Sequence, residues 1–236
     1  HQSAVTPSLG IELPNVVFYE PAFPNEVDWL LLEAMRRVCD RRNGLSTYLR
    51  LSTKSIEQNL QSPAMNRLGE ETLRQHVLAG GYRLVDHAID APGLDPRDTV
   101  QILVGGIMVP EALEAAKRLH DEGVAANVIV VTSSDLLFDS LRTSRRTQLK
   151  NASADLDLGH VETLIPAQER KAPMVTIQDG ASHSLAFLGS IFGVPVVPLG
   201  VDEFGQSASR ADLYHAVGID ADQIVNAAML ALDLAQ

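Results

Sequence analysis

The chain opens with His1-Gln2-Ser3, an imidazole ahead of a loop containing Pro7 and Gly10. An imidazole there could serve as a general acid/base or as a donor to a developing oxyanion. The plainer alternative is a frayed terminus. A second candidate is Gly105-Gly106, between an apolar run and a helical pattern, because a phosphate can rest on the free amides of a helix start. The segment reads Gly105-Gly-Ile-Met-Val-Pro110. It lacks both the spacing of a dinucleotide fingerprint and the Lys-Ser/Thr of a phosphate loop, so a tight turn is expected. The third is Asp179-Gly180-Ala181-Ser182-His183, which reads as a strand-to-helix elbow. Ser182 and His183 are neighbours and cannot face each other as nucleophile and base, and no Gly-x-Ser-x-Gly surrounds them. Asp179 or Ser182 is expected to cap a helix, and His183 to line an interface.

No metal chemistry is legible. His76, His87, His120, His160 and His215 are scattered without an i, i+4 pair, and Cys39 is the only cysteine. Cys39 is expected to be an inert residue near the buried face of its helix. The formal net charge of -11 argues against a nucleic-acid footprint and against attraction to anionic membranes. The acidic residues are expected on solvated helix faces. No apolar run reaches the length of a membrane span, and no signal peptide is read. A single cysteine suits a reducing compartment, and a cytoplasmic location is expected. A first residue of His, with no Met, reads as a boundary within a longer polypeptide.

The elements that must position these residues are of α/β type. Val16–Tyr19 reads as a strand. A helix opens at Pro24-Asn25 and stops at Asn43-Gly44, with Val27, Leu30, Leu31, Ala34, Met35 and Val38 on its apolar face. Thr47–Leu51 is the next strand, completing a β-α-β unit. Ser52–Gly69 reads as a polar linker between two domains, and Glu70–Leu78 as a short helix. Tyr82–Val85 reads as a strand at a sheet edge. Four further strands follow at Val100–Val104, Asn127–Val131, Met174–Ile177 and Pro195–Leu199, alternating with helices. Arg142–Lys171 reads as a long surface excursion, with room for a helix in it. The predicted fold is α/β with a mostly parallel sheet flanked by helices.

The order of several blocks resembles the end of transketolase-type thiamine-diphosphate enzymes. His1-Gln-Ser, Leu13-Pro-Asn15 with its strand, and Pro21-Ala-Phe-Pro-Asn-Glu26 are similar to the end of their pyrimidine-binding domain. Leu103-Val-Gly-Gly-Ile-Met-Val-Pro-Glu-Ala-Leu113 and Phe204-Gly-x-Ser207…Gly218…Ile224-Val225 are similar to their C-terminal domain. The resemblance implies residues 1–60 as the end of the first domain, 61–80 as a linker and 81–236 as the C-terminal domain. Val131-Thr-Ser133 and Asp135-Leu-Leu-Phe138 resemble the homodimeric decarboxylating component of pyruvate or related 2-oxo acid dehydrogenase complexes. At Leu51-Ser-Thr53, sugar-phosphate transketolases carry Leu-Ser-Arg, whose Arg clamps the substrate phosphate; Thr53 cannot replace it.

The resemblance implies a reaction in which a cofactor ylid attacks a 2-oxo acid, CO₂ leaves, and the acyl group passes to a lipoyl-bearing acyltransferase. It assigns His1 to proton transfer or oxyanion stabilisation over the thiazolium ring. It implies thiamine diphosphate and Mg²⁺ in the complete enzyme. No Gly-Asp-Gly occurs in the chain, so neither is expected on this stretch alone. A homodimer is implied, with the C-terminal domain contributing its packing. The alternatives are a transketolase moving two-carbon units between sugar phosphates and a non-enzymatic assembly or binding domain.

Overall fold

The computed structural model describes residues 4–90, 98–152 and 157–236. A short helix α1 (Leu9–Glu12) leads into β1 (Val16–Tyr19), α2 (Pro24–Cys39) and β2 (Ser46–Leu49). The two strands pair in parallel, from Val16 opposite Ser46 to Tyr19 opposite Leu49. Helices α3 (Ser62–Leu68) and α4 (Glu70–Ala79) then lead to a five-stranded sheet. Its strands are β3 (Gly81–Val85), β4 (Thr99–Gly105), β5 (Ala125–Val131), β6 (Met174–Ile177) and β7 (Val196–Leu199), in spatial order β3-β5-β4-β6-β7. Only β3 runs antiparallel. The α/β fold with a mostly parallel sheet is the one expected.

β4 and β5 are buried along their whole length, as strands covered on both faces are. Val100, Ile102 and Val104 point into one core with α6 (Val109–Asp121) and α11 (Ala221–Leu234). Leu103 points into the other with α7 (Ser134–Asn151), α8 (Val161–Leu164) and α9 (His183–Phe192). Pro110 sits in the first turn of α6, where its missing N–H is no loss. Ser133 caps α7 by accepting the Leu136 amide. Asp220 caps α11, and Ser209 caps α10 (Arg210–Val217).

Four expectations need correction. α2 ends at Cys39, before Asn43-Gly44. Asp40 accepts the amides of Arg42 and Asn43, so a polar turn closes the helix earlier. Of its apolar face Leu30 is fully buried, while Leu31, Met35 and Val38 are exposed. Two strands are too narrow to cover the whole stripe, and Cys39 is exposed for the same reason. Ser52–Gly69 is not irregular throughout, since a 3₁₀ turn at Gln58–Gln61 runs into α3, which buries Ala64. The Arg142–Lys171 stretch does hold helix, since α7 continues to Asn151, but it is not all on the surface: Leu158, Val161, Leu164 and Ile165 sit in the second core. Four apolar residues spread thinly among charges carry too weak a period to be read.

Candidate functional site

In an open parallel sheet, the crevice that takes ligands lies beyond the carboxyl ends of strands whose connections leave in opposite directions. Here that point falls between β4 and β6, since β5 lies on one side of β4 and β6 on the other. The loops at its mouth are Gly105-Gly106 and Gln178–Ala181. The crevice is filled from the first unit. Glu20 directly follows β1, and Arg50 directly follows β2.

Glu20 accepts a charged hydrogen bond from Arg50 and a 2.9 Å bond from Gln178 Nε2. Arg50 also donates to the Asp179 carbonyl, and the Asp179 carboxylate is 3.9 Å away. Ser184 donates to Gln178 Oε1, fixing the amide that faces Glu20. The Glu20 amide donates to the Thr132 carbonyl at 2.8 Å. Burial pushes the Glu20 carboxyl above the ordinary carboxylate range, while the Arg50 charge and the Gln178 bond pull it back. Gly106 has φ +41°, and a Cβ there would stand 2.8 Å from Glu20 Cγ. The Gly105-Gly106 turn therefore receives a carboxylate of the same chain, and a phosphate would meet like charge.

Beside this pair lies a polar cavity of about 220 Å³, bounded by Glu20, Arg50, Ser52, Thr53, Ile107 and Asp179. Thr53 lies on its wall. Lys54 is committed elsewhere, bonding both Glu111 oxygens at 3.0 and 3.3 Å and lying 5.5 Å from the Tyr214 ring centroid. Burial, with Glu111 and Asp179 nearby, pushes the Tyr214 hydroxyl up to about 12.

The Asp179–His183 elbow is gripped from three directions. The Ala181 amide donates to the Ala4 carbonyl at 2.8 Å, and Pro7 packs on Gly180. Ser8 Oγ lies 2.9 Å from His183 Nε2, so His183 joins an internal interface. Neither Asp179 nor Ser182 caps α9 through its side chain. Instead Asp202 accepts the Ser182 amide at 2.9 Å. His1, the candidate catalytic group, lies outside the described residues.

Two more polar clusters are buried, against the expectation that acidic residues lie on solvated faces. Glu26 is fully enclosed. It accepts the Ala22 and Phe23 amides at the start of α2, together with Tyr82 Oη at 2.7 Å and Gln61 Nε2 at 2.9 Å. At the amino ends of the sheet, Arg83 pairs with Glu169 at 2.7 Å, and Gln101 and Asn127 also donate to Glu169. A larger cavity of about 770 Å³ opens beside that cluster, lined by His87, Thr99 and Lys171 among others. Glu20 and Arg50 carry one weak sequence signal: each is a charge directly following a strand of apolar and aromatic character. Nothing in the sequence pairs them with Gln178.

Among the described residues no group of three His, Cys, Asp or Glu side chains could hold a metal ion. No helix of the described residues is long and apolar enough to cross a membrane.

Comparisons with known proteins agree with the fold. The pyruvate dehydrogenase E1 component of Escherichia coli (strain K12) is 26% identical over 241 residues, covering 97% of this chain and 24% of that protein. The chromosomal transketolase of Cupriavidus necator is 26% identical over 221 residues, covering 94% of this chain and 27% of that protein. The chain thus spans about a quarter of the length of the curated relatives it matches. Transketolase from Leishmania mexicana superposes with a TM-score of 0.65 at 23% identity, over 99% of this chain and 28% of that one. A split-gene transketolase, solved as an inactive beta4 tetramer, gives 0.64 at 22% identity, over 100% of this chain and 64% of that one. These two likenesses are of fold. The family described as the transketolase-like TK C-terminal domain matches residues 80–220, and the chain belongs to that family.

Proposed function

We propose that this chain is the C-terminal portion of a thiamine-diphosphate-dependent 2-oxo acid dehydrogenase component. The complete enzyme decarboxylates a pyruvate-like acid and passes the acyl group to a lipoyl-bearing acyltransferase. Residues 1–60 end its pyrimidine-binding domain, 61–80 join the two parts, and 81–236 form the C-terminal domain, which contributes to homodimer packing.

One observation carries the choice of substrate class. The polar cavity at the joint presents Thr53; the Arg50 that lines it is already paired with Glu20, and Lys54, next in sequence to Thr53, is paired with Glu111. A sugar phosphate needs an uncommitted cation, preferably a bidentate Arg.

The cofactor's ligands come from outside the described residues. The part played by this stretch is to hold the rim Leu51–Thr53 through the Arg50 anchor and to carry His1, the group for proton transfer. In the full-length polypeptide, His1→Ala should lower kcat by about 10²–10⁴-fold. The deciding assay supplies that polypeptide with 2-oxo acids and a lipoyl domain, and in parallel with a ketose phosphate and an aldose acceptor. Acyl transfer to the lipoyl domain upholds the reading. Two-carbon transfer between sugars replaces it with the transketolase reading.

A further inference from the structure

His76, in the last turn of α4, and His160, just ahead of α8, are far apart in sequence, yet their rings meet. The centroids are 5.0 Å apart and the planes cross at 65°. His160 Nε2 lies 2.6 Å from the Gly81 carbonyl oxygen. A carbonyl only accepts, so Nε2 carries the proton and Nδ1 keeps its lone pair. That is the arrangement of a metal-ligating imidazole, whose far nitrogen is typically held by a main-chain carbonyl while the near one is free to bind. The spacing fits as well. Two imidazoles on one tetrahedral zinc, with Zn–N of about 2.0–2.1 Å, place their ring centroids about 5 Å apart. His76 also stands at the carboxyl end of its helix, where the backbone favours positive charge.

We propose that His76 and His160 form a binding site for a borderline divalent cation such as Zn²⁺, held by one nitrogen of each ring and completed by water. No third His, Cys, Asp or Glu joins them among the described residues, so the site is open and exchangeable rather than a closed structural one. Bound metal would tie α4 to the start of α8 across the edge strand β3. The inference is independent of the substrate reading above.

The test is a Zn²⁺ titration of the metal-stripped chain, followed by calorimetry and by the histidine ring resonances in NMR. One equivalent should shift the His76 and His160 resonances together and raise Tm. His76→Gln should abolish the shift of the His160 ring and the rise in Tm, while His215→Gln should leave both. His160→Gln places an amide donor where Nε2 stands and so keeps the bond to the Gly81 carbonyl; it stays folded and should lose the metal too. Zn²⁺ that moves neither ring, or binding that survives His76→Gln, overturns the proposal.

Discussion

Glu20 is tolerated inside the protein because Arg50 and Gln178 meet its carboxylate. Glu20→Gln leaves Arg50 with only the more distant Asp179 carboxylate, 3.9 Å away, as counter-charge. It should lower stability by about 2–4 kcal/mol, a little under the range for a fully enclosed pair because Arg50 keeps partial exposure. Urea melts should show a lower midpoint at an unchanged slope. Gly106→Ala would press a methyl against the same carboxylate and hold a residue with a side chain at positive φ. A loss of about 1–3 kcal/mol is expected by the same measurement. Asp135 behaves differently. Burial pushes its carboxyl up to about 6, opposed by its bond from the Phe18 amide. The folded value lies above the value near 3.9 of an unfolded Asp. Its contribution is therefore fully present below about pH 4 and is lost as pH rises through about 6. Asp135→Asn keeps an acceptor for Phe18 and removes the charge. At pH 7.5 it should stabilise the protein by about 1–2 kcal/mol, a figure reduced for partial exposure, and the gain should vanish towards pH 4. A gain that grows on acidification would refute this.

Among the elements, those with a strong period were legible. β4 and β5 read as continuous apolar runs because both their faces are covered, and α6 and α11 read as stripes because one face of each is. Tyr82–Val85 reads as an edge strand, and β3 stands at one edge of the sheet; β7, with Pro195 before it and Pro198 within it, stands at the other. The length of α2 and its burial were misread because periodicity reports an apolar face without reporting what covers it. The segment from Leu158 to Ile165 was misread for the opposite reason, since its four buried side chains sit among polar neighbours. Its place in the core is directly testable. Leu164 is buried against the second core, and Leu164→Ala should cost about 2–4 kcal/mol. A surface excursion would show almost no change.

Across the whole molecule, α2 leaves Leu32, Met35 and Val38 about two-thirds exposed beside a two-stranded sheet. Such a face draws partners. The chain by itself should self-associate in sedimentation experiments, and Leu32→Glu with Met35→Glu should return it to monomer without changing its circular dichroism. The resemblance in block order gave the family, and the α/β alternation gave the sheet. The joint at Glu20, Arg50 and Gln178 stayed invisible, because three polar residues distant in sequence announce nothing until a fold brings them together. That distance has a consequence in time. Ser8 meets His183, Glu20 meets Gln178 and Arg50 meets Asp179, each closing a loop of more than a hundred residues. Long loops are slow to close, so contacts that depend on them form late. Glu20→Gln and His183→Ala should therefore speed unfolding while leaving the refolding rate nearly unchanged, the signature of a joint that is the last part of the molecule to assemble and the first to let go.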